Sequence, residues 1–210
     1  MKNLLATLSL VFIFTACEKT TAKKANNHEN PALEPVWNAL DSATAAKTWM
    51  EFRSPGDMHK VLEKIEGNWA ADVSTWVEDK GQPVISKSEC SNTMILGGRY
   101  LVTDYKGSVM GMPFDAIKTM GYDKAKKKFV SSLIDNMGTG FMLTEGEWDP
   151  STKSINFKGK IPDPTQPGKE WEARETYTLV DDNHHIIEIY GPDPKTGKII
   201  RTMEVKFTRK

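Results

Sequence analysis

With 210 residues, 39% of them hydrophobic and 9% aromatic, the chain has material for one domain with a real core and is not a disordered polymer. Its 28 Lys and Arg balance 28 Asp and Glu, so no long-range field of either sign exists to recruit nucleic acid, and no nucleic-acid partner is expected. Two cysteines, Cys17 and Cys90, exclude a disulfide framework.

The chain opens with Met1-Lys2 and an apolar run from Leu4 to Ala16 that stops at Cys17. Such a run has the length of a signal segment and falls short of the ~20 apolar residues that cross a bilayer. Phe14-Thr15-Ala16-Cys17 resembles the bacterial lipobox, with Phe14 where Leu is usual. The resemblance implies removal of residues 1–16 as a signal peptide and lipidation of Cys17, an anchor in a bacterial membrane at the cell envelope, on its periplasmic or extracellular face. Residues 17–35 are polar, carry Pro31 and Pro35 and have the composition of a flexible tether between such an anchor and a domain.

Residues 36–66 read as a helical lead-in. Asp41 to Phe52 is rich in helix formers, and Ser54-Pro55-Gly56-Asp57 sets a capping serine before Pro and an acid. Met58, Val61, Leu62 and Ile65 then recur at helical spacing until Gly67. From there to residue 210 the pattern becomes alternation, broken by turn chemistry at Asp79-Lys80-Gly81, Asp123-Lys124, Gly138-Thr139-Gly140, Asp149-Pro150, Asp163-Pro164, Asp181-Asp182-Asn183 and Pro192-Asp193. About ten strands fit between these signals. Short links mean antiparallel neighbours, and so long a meander is best closed on itself, which predicts an all-β, closed antiparallel β-barrel over 67–210.

Alternation assigns inner faces. Trp69, Ala71, Val73, Thr75 and Val77 form one row, and Ile155, Phe157 and Ile161 another. Trp171, Ala173, Glu175, Tyr177 and Leu179 form a third, and Ile199, Arg201, Met203, Val205, Phe207 and Arg209 the last. Two inner rows thus carry charges. Glu175 and Arg201 are expected either to pair or to face a ligand, with Tyr177 supplying a neutral hydrogen bond, so these three are the candidate ligand-binding residues. Ser86, Ser88 and Cys90 on one row leave room for a cavity, whereas the many large aromatic residues have the bulk to fill it.

Catalytic chemistry has few parts. No G-x-S-x-G, H-E-x-x-H, C-x-x-C or Gly-rich phosphate loop is present, and the four histidines are His28, His59 and the pair His184-His185. Adjacent strand residues face opposite ways, so His184 and His185 do not converge on one metal or haem without a bulge. Met110, Met112, Met120, Met137 and Met142 read as adaptable apolar lining rather than a copper site. No catalytic residue, metal or cofactor is expected.

Ile95-Leu96-Gly97-Gly98-Arg99-Tyr100-Leu101, Met110-Gly111-Met112-Pro113-Phe114 with Gly121-Tyr122-Asp123, and Ile134-Asp135-Asn136-Met137 are similar to segments of the bacterial family DUF1579, as are Glu66-Gly67-Asn68-Trp69 and Met203-Glu204. That resemblance spans roughly residues 55 to 210 and implies a lipocalin-like barrel with no established activity. Gly67-x-Trp69 also resembles the calycin opening, which implies that a C-terminal arginine, Arg209 or Arg201, covers Trp69 and closes the barrel. The expected function is binding a small apolar or amphipathic ligand inside the barrel. The alternatives are a structural or interaction protein, of unspecified partner, whose barrel is filled by its own side chains, and more remotely a haem-binding or hydrolytic barrel.

Overall fold

The computed structural model describes residues 39–163 and 166–210. Cys17, the apolar run before it and the segment to Pro35 lie outside the described residues. Helix α1 (Ser42–Arg53) starts where Asp41 accepts bonds from the Ala43 and Thr44 backbone N–H groups at 3.1 and 3.0 Å, satisfying two of the orphan donors of the first turn. No residue of α1 is buried. Ser54 does not cap the next helix, as the sequence suggests, but closes α1, its hydroxyl donating to the Met50 carbonyl at 2.6 Å. Helix α2 (Asp57–Glu63) starts at Gly56 instead, whose N–H is satisfied by His59 Nδ1 at 3.1 Å. Its Val61 and Leu62, with Ile65 just beyond, enter the core.

Ten strands follow among the described residues: β1 (Gly67–Thr75), β2 (Val84–Ile95), β3 (Tyr100–Val109), β4 (Met112–Asp123), β5 (Lys128–Asp135), β6 (Met142–Asp149), β7 (Ser154–Pro162), β8 (Glu170–Asp181), β9 (His184–Pro192) and β10 (Ile199–Arg209). Each pairs antiparallel with its sequence neighbour, and β10 returns to β1 with Trp69 opposite Arg209 and Val73 opposite Val205. The barrel is closed, and no strand edge is left to pair elsewhere. Because neighbours run in opposite directions, the links alternate between two ends. The start of β1, the end of β10 and the links 96–99, 124–127, 150–153 and 182–183 share one end, where α2 packs on β3 and β4. The remaining links share the far end.

The segments that carry the family resemblance are turn and stapling devices. Val109 pairs with Met112, so Met110-Gly111 is a two-residue hairpin loop with positive φ at both positions (53° and 79°), the geometry that matches strand twist. Between β2 and β3, Leu96, Gly97 and Gly98 all have positive φ, and Arg99 reaches back to the Leu96 carbonyl (2.8 Å) and across to the α1 carbonyl of Arg53 (2.5 Å). The Tyr100 ring lies over Gly121, where a Cβ would meet it at 2.6 Å. Asn136 ties the third segment to the second by accepting from the Asp115 N–H (3.1 Å) and donating to the Pro113 carbonyl (3.2 Å).

Candidate functional site

The helix-bearing end is sealed. Gly67 sits at φ 119°, and a Cβ there would come within 2.7 Å of the Arg209 guanidinium, so glycine both permits the backbone and makes room. Arg209 donates to the carbonyls of Asp182 (2.8 Å), Glu66 (2.6 Å) and Lys64 (2.8 Å), and its guanidinium carbon lies 4.1 Å from the centre of the Trp69 ring. Stacking a cation on an indole adds to the apolar burial of Trp69, whose Nε1 donates to the Ile65 carbonyl at 3.0 Å. Arg209, not Arg201, covers Trp69.

Above Trp69 lies an aromatic stack. The His185 ring is nearly parallel to Phe207 (4.2 Å) and Tyr177 (5.0 Å) and edge-on to Trp69 (4.3 Å). Neither of its nitrogens has a hydrogen-bond partner. Burial, reinforced by the Arg209 charge, pushes its pKa down to about 3, so the ring is a neutral packing element at physiological pH. His184 faces outward beside Asp181, its Nδ1 2.9 Å from a carboxylate oxygen. The two adjacent histidines therefore point to opposite sides of the wall. Phe129, Phe157, Leu101, Met120 and Ile155 fill the rest of this half.

At mid-height the lumen is crossed by an ion pair. Lys118 on β4 donates from Nζ to Glu175 Oε1 on β8, both side chains at least nine-tenths buried. In a ring of ten, β4 and β8 stand four strands apart, so the pair bridges the interior instead of lying along one wall. The Lys118 ammonium is also 5.5 Å from the centre of the Phe157 ring. Glu175 thus occupies the inner row that alternation assigns it, but its partner is Lys118 and not Arg201.

Arg201 is where the sequence reading fails. The register of β10 against β9 shifts between Arg201 and Met203, and this irregularity turns Arg201 out of the row that holds Val205 and Phe207. On the outer wall it donates to Glu188 (2.7 Å) and Glu204 (2.8 Å) and lies 4.7 Å from the Trp76 ring. Tyr177 is inward, yet it belongs to the packed half, stacked on His185, and burial holds its phenol well above the ordinary range. The proposed triad of Glu175, Tyr177 and Arg201 does not assemble.

Beyond the ion pair the far half of the lumen retains a cavity of about 90 Å³. Val73, Val109, Phe114, Leu133, Ile189 and Met203 supply apolar wall, with Ser88, Tyr105, Lys118 and Glu175 as its polar groups. Tyr105 stays a protonated phenol because burial raises its pKa well above the usual value. Ser86, Ser88 and Cys90 do share an inner row, and Cys90 is buried with its thiol pushed up to about 12. Their small size leaves space on that side. At the far-end links Met110, Met112, Met137 and Phe141 are exposed, Phe141 by 67%.

Solved structures share this architecture. Rv2717c from M. tuberculosis aligns with a TM-score of 0.57 at 11% identity, over 75% of this chain and 99% of that one. The S-type phycobiliprotein lyase CPES from Guillardia theta aligns with a TM-score of 0.53 at 10% identity, over 77% of this chain and 96% of that one. At such identities the likeness is one of lipocalin-like fold. No curated relative matches the chain. The model of DUF1579, described as a protein of unknown function, matches residues 54–209, and the chain belongs to that family.

Proposed function

We propose that the protein is a binding module whose far lumen holds a small apolar or amphipathic ligand, presented at the cell envelope by a lipid on Cys17. The observation that carries the binding reading is the polarity of the lumen. One half is packed with rings, while the other keeps a cavity of about 90 Å³ against apolar walls with a polar pair at its base. Protein interiors seldom leave voids much larger than a water, and apolar walls with few convergent polar groups are the usual form of a ligand site. The lipocalin-like fold of the structural neighbours, a phycobiliprotein lyase among them, is consistent with ligand binding. The envelope address rests on the apolar run, the lipobox-like residues before Cys17 and the polar segment after it.

Native mass spectrometry of the full chain, extracted from its own membranes in mild detergent, tests both parts. The expected covalent mass starts at Cys17 and includes an acyl-glyceryl group. A noncovalent adduct is expected on the wild-type chain and not on Ala71→Leu, since Ala71 is buried on the cavity wall and the larger side chain occupies the space. An unmodified N-terminus defeats the anchor, and a bare wild-type mass defeats the binding reading.

A further inference from the structure

We propose that the ligand of the far lumen is an uncharged molecule, with a hydroxyl or amide group seated on the Lys118–Glu175 pair and a short unbranched apolar end along the walls. This rests on the binding reading above and adds the charge and size of what is bound.

Charge follows from the lining. Lys118 and Glu175 are its ionised residues, and they neutralise one another. A carboxylate entering the cavity would have to take the ammonium from Glu175, leaving a displaced carboxylate among Ile187, Ile189 and Val205 with no second cation in the lining. An ammonium would strand Lys118 in the same way. Either exchange leaves a net charge in a low-dielectric interior, which is strongly unfavourable.

A neutral polar group meets no such obstacle, because the pair has unused capacity. Of three ammonium donors on Lys118, one hydrogen bond is made, to Glu175 Oε1, and Glu175 Oε2 has no hydrogen-bond partner among the described residues. A hydroxyl can accept from the ammonium and donate to the free carboxylate oxygen at once. An amide can do the same with its two ends.

Size follows from the volume. An apolar cavity of about 150 Å³ holds benzene, so one of about 90 Å³ holds a chain of roughly four heavy atoms. A macrocycle does not fit. Anything longer must extend past Val109 and Phe114 toward the far-end links, where Met110 and Met112 are exposed and unbranched thioether side chains adapt to varied apolar shapes.

The test compares pentan-1-ol, pentanoate and pentylamine, each longer than the cavity so that its methyl end extends past Val109 and Phe114, at neutral pH on the full chain in detergent micelles. Binding is read by titration calorimetry as the difference from Ala71→Leu in the same micelles, which removes partition into detergent. Pentan-1-ol is expected to bind at least about tenfold tighter than either ion. In Glu175→Gln, where Lys118 is left as an unbalanced cation, the order is expected to change and pentanoate to become the tightest of the three. Pentanoate or pentylamine binding the wild type as tightly as the alcohol overturns the inference and leaves the binding reading standing. No saturable difference for any of the three overturns both.

Discussion

Lys118→Met and Glu175→Leu are each expected to lower the unfolding free energy by about 3–5 kcal/mol, and the double replacement to recover most of that loss. Each single change leaves one ionised group nine-tenths buried in a lumen whose lining offers no substitute partner. The double change removes both charges and supplies apolar side chains of similar volume, which is why the effects do not add. Urea unfolding of the four proteins gives the coupling directly. Additive losses would mean that the two side chains do not depend on one another, contrary to the bridge across β4 and β8. The bridge also separates the packed half of the lumen from the half with space.

Acid is expected to unfold the protein through His185. Its folded pKa is about 3, held down first by burial and then by Arg209, whereas an unfolded histidine titrates near about 6.5. The neutral form is favoured by the fold, so stability is complete above the unfolded value. It declines as pH falls, because only the unfolded state takes up the proton. The slope is about 1.4 kcal/mol per pH unit, summing to about 5 kcal/mol by the time the folded pKa is reached. Burial also lowers the pKa of His59, which adds a contribution of the same sign. His185→Phe keeps a ring between Tyr177 and Phe207 and abolishes this titration. Because it also deletes two buried nitrogens that have no partner, stability at neutral pH is expected to rise by about 1–3 kcal/mol. Unfolding free energies measured from pH 7 down to about 4.5, above most carboxylate titration, should fall steeply for the wild type and only shallowly for His185→Phe. Parallel curves would show that His185 is protonated or hydrated in the folded protein.

The fold was legible where period and polarity agree. Along β1, β7 and β8 apolar residues alternate with polar ones, and Trp69, Val73, Phe157, Ala173 and Tyr177 lie inside as that alternation predicts. Val77 falls beyond the end of β1 and is exposed. In β4 the polarity is inverted: Ile117 is 41% exposed while Lys118 is buried, so hydrophobicity points to the wrong face. The signal that finds Lys118 is indirect. Ala116 and Met120 flank it at spacing two, and Glu175 on an opposing inner row requires a cation. Arg201 was misplaced because a register shift reverses every residue before it, and Ile200-Arg201-Thr202 carries no Gly or Pro to mark one. The sealing of the barrel was legible through the resemblance of Gly67-x-Trp69 to the calycin opening, which left the covering arginine open between Arg209 and Arg201; the structure places Arg209 there.

On the binding reading, the two halves of the lumen differ, one a packed seal and the other a ligand compartment. Methyl-resolved NMR of the full chain during titration with pentan-1-ol tests it most directly. Saturable shifts are expected at the methyl groups of Val73, Val109, Leu133, Ile189 and Met203, which line the cavity, and none at Leu62, Ile65, Leu101 or Met120 in the sealed half. Shifts confined to the sealed half, or to exposed methyl groups alone, would contradict it.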